Sequence, residues 1–298
     1  MRFRFVFIGL FLAISVNAAP AKDPNTIPFE FFHNEILVEC HIDNKGPYLA
    51  MIDTGTDPSA MDLKLAKELS LKLGVGAEGD GGGTGLAKVF ETKLNTVRVG
   101  SVSASNLQTL AAESVSMIAE KLGRPVRVVL GKSFLQGRIF EIDYGNKTLR
   151  FLDSVPPSSK KGRVELRFQY GDDVVLEGVS LNDKPVRAIL DTGSNGSLKV
   201  TPEAIKRFGL EADLKAAKPS ESTGYRGSYT SYDGHVKSVK LATIRIENPS
   251  ATFWTSGTGY DGKPWDINIG NAIWKDLVIT LDTKNAILYI ERPVRGRS

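Results

Sequence analysis

The sequence predicts an all-β protein with short helices, built as two related halves of one chain. Three observations predict it. The length of 298 residues is enough for two domains with a core each. An internal repeat gives two copies that both read as short apolar strands separated by tight turns. Hydrophobic residues at 41%, charged residues at 24% and 29 glycines describe a globular, turn-rich chain rather than a disordered or fibrous one.

The repeat aligns the segment from Ile36 to Asp62 with the segment from Val174 to Val200, so that Asp53 falls on Asp191. Each copy reads as a strand, a turn of Asn, Asp and Lys, and a second strand that runs into Asp-Thr-Gly. A helix is expected next: Leu63 to Leu73 in the first copy and Ala204 to Phe208 in the second. In the second, Thr201 can cap, Pro202 fits the first turn and Gly209 can end it. Glycine-rich stretches, Gly79 to Gly85 and Gly224 to Gly227, then predict hairpins. Each copy closes with an apolar strand ending in Gly131 or Gly270, a short helix and a final hairpin. Gly131 to Gly270 and Asp143 to Asp282 are both offsets of 139, against 138 for the two aspartates. The expected division is a first lobe over 27–153, a linker rich in Pro, Ser and charge over 154–162, and a second lobe over 163–294.

Ahead of the first lobe, Arg2 and Arg4 open an apolar run from Phe5 to Val16 that ends in small residues. This order predicts a secretory signal over 1–18, cut after Ala18, and hence a secreted or periplasmic protein with no membrane attachment after cleavage. Without Arg2 and Arg4, 36 basic residues stand against 34 acidic ones, a net charge of +2. The basic residues are scattered, apart from Lys160-Lys161 and the stretch from Arg292 to Arg297, so no nucleic-acid partner is expected. The lone Cys40 cannot form an intrachain disulfide and reads as a buried strand residue. With only three histidines, neither a zinc site nor a cysteine nucleophile is expected.

A carboxylate at the end of an apolar strand is costly to bury alone. A single Asp-Thr-Gly can be merely a turn; two at matching points of a duplicated fold point to chemistry. Packed about a pseudo-two-fold axis, the strand ends bring Asp53 and Asp191 side by side as a catalytic pair sharing one proton. The ionised member can act as base toward water while the protonated one donates to a carbonyl. Gly55 and Gly193 let backbone N–H groups approach the carboxylates. Thr54 and Thr192 can bond across the axis, and Thr56 and Ser194 can each bond the nearby carboxylate.

Two Asp-Thr-Gly-Thr/Ser turns, each followed by an apolar-apolar-Gly strand end, resemble the pepsin and retropepsin group of aspartic peptidases. The short lobes are most similar to bacterial exported proteins with two fused retropepsin-like units. The resemblance covers nearly the whole chain after the signal. It implies a bilobal acid-protease fold of two β-barrel lobes with a cleft between them, a polypeptide substrate, no cofactor, and catalysis by Asp53 and Asp191. It also implies flaps over the cleft, for which the candidates are Gly82, Gly83, Thr84 and Gly85 in one hairpin and Tyr225 and Tyr229 in the other, and it places Leu130-Gly131 and Ile269-Gly270 beneath the turns as support. The chain departs from pepsin in lacking disulfides and in having no tyrosine in its first glycine-rich hairpin. With both turns on one polypeptide, an active monomer is expected.

Other motifs fall away on context. Gly74 to Gly79 matches a dinucleotide fingerprint in letters but not in its strand-turn-helix setting, and Gly131-Lys132-Ser133 lacks the upstream glycine of a phosphate loop. Asn146-Lys147-Thr148 and Asn195-Gly196-Ser197 are read as chance glycosylation matches. The alternative to a peptidase is a catalytically inactive peptide-binding module of the same fold; a structural envelope scaffold has no need of a buried carboxylate pair.

Overall fold

A computed structural model describes residues 25–157 and 162–292. The expected signal over 1–18, the middle of the expected linker with Lys160-Lys161, and the arginines beyond Arg292 lie outside the described residues.

The chain is built mainly of strands, as its alternating apolar pattern predicts. In the first half, strands Glu35–Ile42, Lys45–Ile52, Val126–Leu130, Ala60–Asp62, Val102–Ala112 and Ala87–Val99 neighbour one another in that order. His41 then pairs with Arg98, which joins the last strand to the first and closes the ring. Closure leaves no free edge in that ring, and Cys40 lies buried inside it as a strand residue, its thiol pushed up to about 12 by burial. In the second half Gly178, at φ 75°, divides the corresponding outer strand into Val174–Leu176 and Val179–Leu181, which belong to different sheets. The same repeat therefore has one continuous wall in the first half and a divided wall in the second.

The final hairpins join the halves. Strands Ile139–Asp143 and Val278–Asp282 pair antiparallel, with Glu141 opposite Thr280. Those two residues are separated by 139 positions, the offset of the repeat, so each faces its own counterpart and the pseudo-two-fold axis passes between them. The two turns are copies as well: Asn146 donates its backbone N–H and side-chain Nδ2 to Asp143, and Asn285 does the same to Asp282. Phe140, Ile142, Ile279 and Leu281 on the paired strands are fully buried, so one apolar core runs from one half into the other.

The second predicted helix forms as Pro202–Phe208, with Thr201 accepting a hydrogen bond from Ala204 N–H and Gly209 left-handed at φ 71°. The first is shorter than Leu63 to Leu73: it spans Leu63–Glu68, capped by Asp62, and Ser70 turns left-handed at φ 55°. From there the chain runs beside the long strand Ala87–Val99. Thr92 Oγ1 donates to Lys72 O and Gly74 N–H to Glu91 O, so partners on the neighbouring strand replace those of a further helical turn. Helices Ser114–Leu122 and Glu211–Ala216 lie in segments whose periodicity gave no comparable signal.

Truncating Phe140 to alanine removes a fully buried ring from the sheet that joins the halves. The expected loss is roughly 3–5 kcal/mol in urea unfolding, and a loss under about 1 kcal/mol would contradict this account of the junction.

Candidate active site

The two Asp-Thr-Gly turns are held from below by the apolar strands that close each repeat. Lys45–Ile52 runs parallel to Val126–Leu130, and Ala188–Leu190 runs parallel to Ile267–Ile269. The N–H of Asp53 donates to Leu130 O and that of Asp191 to Ile269 O, both at 3.0 Å. Beyond the strand ends, Lys132 N–H reaches Thr56 O at 2.9 Å and Asn271 N–H reaches Ser194 O at 2.7 Å. Each turn thus rests on the start of a short helical segment, as the glycine-ended strands predict.

Across the axis the turns hold each other reciprocally. Thr54 Oγ1 donates to Leu190 O at 2.8 Å and accepts from Thr192 N–H at 3.0 Å; Thr192 Oγ1 donates to Ile52 O at 2.9 Å and accepts from Thr54 N–H at 3.0 Å. Both threonines are buried, so neither hydroxyl exchanges these partners for water. Gly55 N–H donates to Asp53 Oδ1 and Gly193 N–H to Asp191 Oδ1. Each carboxyl also lies against the glycine of the opposite turn. A Cβ at Gly55 would come within 2.8 Å of the Asp191 carboxyl, and one at Gly193 within 2.2 Å of that of Asp53. Glycine is needed at both positions because the carboxyls fill the space a side chain would take.

The outer oxygens are braced differently. Thr56 Oγ1 donates to Asp53 Oδ2 at 2.6 Å. The parallel expectation for Ser194 fails: its hydroxyl has no hydrogen-bond partner and packs against Gly270, 2.7 Å from where a Cβ would stand there. Asn268 takes its place, with Nδ2 2.5 Å from Asp191 Oδ2. Sequence reasoning missed Asn268, although an amide between Ile267 and Ile269, where the first copy has Val129, is a visible break in an apolar strand.

Burial raises the pKa of Asp53 to about 7, helped by the charge of Asp191 and a hydrogen bond with it, while Thr56 and the Gly55 N–H act in the opposite direction. A second buried acid, Glu35, stands nearby with its pKa raised well above the ordinary range, first by burial and then by Asp53. Among the described residues no group of three or more His, Cys, Asp or Glu is placed to hold a metal ion.

A cleft of about 1130 Å³ runs over the pair. Both glycine-rich hairpins reach it. In the second hairpin, Lys218–Gly224 pairs with Gly227–His235, and Tyr225 at its tip places its hydroxyl 3.0 Å from Thr56 Oγ1. Tyr229 lies buried against Ile189, Trp254 and Trp265, away from the cleft lining, and so acts in packing. In the first hairpin, Gly82 lines the cleft and its carbonyl accepts from Arg226 N–H at 2.8 Å. Gly83, Thr84 and Gly85 bond to the second half instead: Gly83 N–H to Thr258 O, Gly85 N–H to Arg226 O and Thr84 Oγ1 to Ser228 O. The hairpin tips therefore meet, and a Cβ at Gly83 would collide with Arg226 at 2.3 Å.

The sequence pattern of the family described as aspartyl protease matches residues 38–134 and 178–271, which contain both Asp-Thr-Gly turns. The crystal structure of Basic 7S globulin from soybean has the same fold, with a TM-score of 0.51 over 89% of this chain and 94% of that one, at 10% identity. At that identity the likeness concerns the fold alone. No curated protein sequence matches the chain.

Because the pKa of Asp53 rises on folding from 3.8 to about 7, the folded state binds a proton there that the unfolded state releases across that interval. This site's contribution to stability is therefore greatest at and below about pH 4 and declines as pH rises to about 7. In urea unfolding, Asp53→Asn is expected to lose less stability than wild type between pH 4.5 and 7.5, whereas parallel losses would show that the Asp53 pKa is not raised.

Proposed function

Since the chain belongs to the aspartyl protease family, we propose that it is an aspartic endopeptidase that hydrolyses peptide bonds with water activated between Asp53 and Asp191. The observation that carries this reading is the reciprocal seating of the two carboxyls, each fixed by its own glycine N–H and pressed against the glycine of the opposite turn. Two acids held so close share a proton, because ionising both would set like charges side by side in a buried site.

Burial and the neighbouring charge strengthen the hold on that proton, which Asp53 and Asp191 share. The ionised carboxylate of the pair takes a proton from water as the water oxygen bonds to the scissile carbonyl carbon, and the proton of the other carboxyl passes to the carbonyl oxygen. Collapse of the tetrahedral intermediate breaks the C–N bond, delivers a proton to the leaving nitrogen and restores the shared proton. Asn268 and Thr56 hold the outer oxygens in place for these transfers, and Tyr225 covers the Asp53 side. The cleft's volume of about 1130 Å³ and its roof of two hairpins suit an extended polypeptide.

Each single substitution Asp53→Asn or Asp191→Asn, verified as folded, is expected to lower hydrolysis of an unstructured protein by at least about three orders of magnitude. A folded variant that keeps near-normal activity would refute the mechanism, and a wild type that binds the protein without cutting it would identify an inactive binding module instead.

The proposal extends to an exported, monomeric enzyme, supported by the charged, apolar and small-residue order of the first 18 residues and by the presence of both turns on one chain. N-terminal sequencing of the mature protein is expected to begin at Ala19, and recovery of intact Met1 in a soluble cytosolic form would count against export.

A further inference from the structure

Glu35 and Asp173 have no part in the reaction described above, yet they occupy one position in the two copies of the repeat. Each stands 18 residues before its Asp-Thr-Gly aspartate. The operation that exchanges Asp53 and Asp191 therefore exchanges Glu35 and Asp173, and one of them lies on each side of the pair. Both line the cleft. Glu35 is only 6% exposed, and its Oε2 has no hydrogen-bond partner. Asp173 accepts a hydrogen bond from Trp265 Nε1 at 2.9 Å, which fixes its carboxyl on the opposite wall and leaves further lone pairs open.

A buried carboxyl with an open oxygen lowers stability, and buried polar groups in folded proteins almost always have partners. A purely structural Glu35 would be expected to have both oxygens bonded. Its placement is explained by a partner that arrives in the cleft.

The charge of the cleft indicates what that partner is. The whole chain has a net charge of +4, but among the described residues nine acidic side chains and three lysines line the cleft, with no arginine. Two of those lysines are already paired, Lys121 with Glu221 at 2.5 Å and Lys263 with Asp80 at 2.6 Å. The third, Lys199, lies over the Trp254 ring. An acidic concavity in a basic protein concentrates positively charged ligands, because low-dielectric walls focus the field.

Resting on the endopeptidase reading, we propose that Glu35 and Asp173 are a matched pair of subsites for cationic side chains, so that the enzyme takes polypeptides with a lysine or arginine on each side of the scissile bond. In the free protein, burial and the neighbouring Asp53 keep Glu35 from ionising readily, with Lys199 opposing them and the Tyr144 and Tyr225 hydroxyls close by. An entering ammonium or guanidinium group supplies the missing counter-charge and a donor for Oε2; a neutral side chain supplies neither.

The test digests a peptide library with wild type, Glu35→Gln and Asp173→Asn, and reads the residues around every cut. Wild type is expected to show lysine or arginine enriched about ten-fold at one fixed position on each side of the cut. Glu35→Gln should erase the enrichment on one side and Asp173→Asn on the other. Cutting with no basic enrichment, or with enrichment that survives both substitutions, overturns the inference and leaves the endopeptidase reading intact. No cutting at all overturns the endopeptidase reading. In that case, fluorescence anisotropy with a lysine-bearing peptide and its acetyl-lysine counterpart decides the subsites. Roughly ten-fold tighter binding of the charged form supports them, and equal affinity overturns them. If either variant fails to unfold cooperatively, the wild-type comparison of those two peptides decides alone.

Discussion

The structure depends on the four hydrogen bonds that Thr54 and Thr192 exchange across the pseudo-two-fold axis. Each hydroxyl serves as donor to one backbone carbonyl and acceptor from one backbone N–H of the other half. Both capacities are used, so neither threonine hydroxyl is left for water to satisfy. Because the partners belong to the opposite strand end, the bonds can form only when both halves have folded and docked. The separation of the two carboxyls follows from this lattice, since Asp53 and Asp191 are each one residue away from a threonine that cannot shift without breaking bonds in both halves.

The far end of the same axis is held by a different interaction. Glu141 faces Thr280 in the sheet between the halves, and the fully buried Phe140, Ile142, Ile279 and Leu281 make that sheet part of a common core. A large apolar junction fixes the lobes against each other, while the threonine lattice fixes the turns to within hydrogen-bonding tolerance. Apolar burial is non-directional and sets the approach; the directional bonds set the geometry.

The duplicated frame carries unequal chemistry. Thr56 braces Asp53 and also meets Tyr225 from the other half, whereas Asp191 is braced by Asn268 while Ser194 stands unbonded. The first hairpin carries glycines where the second carries Tyr225, and the glycines let the tips approach closely enough for Arg226 to bond the backbone of Gly82 and Gly85. One copy contributes a covering side chain and the other a backbone loop thin enough to lie against it. Such a division distinguishes two carboxyls that a symmetric site would leave equivalent.

The sequence by itself determined the repeat, the strands that end in Asp-Thr-Gly, the glycine-ended strands beneath them and the threonine bracing, because each depends on residue types at short spacing or on a constant offset between copies. It also determined the capped helix Pro202–Phe208, whose signals are all local. Tertiary structure decided what depends on contacts between distant segments. The first helix stops at Glu68 because the strand Ala87–Val99 offers other partners to the backbone from Lys72 onward. Asn268 replaces Ser194 because the serine hydroxyl is turned against Gly270, and Tyr225 rather than Tyr229 reaches the cleft because it stands at the hairpin tip. Glu35 becomes a buried neighbour of Asp53 only once the strands close. Local sequence specifies which groups a segment can offer, but burial and the facing partner, which fix a carboxyl's charge and a hydroxyl's bond, exist only after the chain has brought distant residues together.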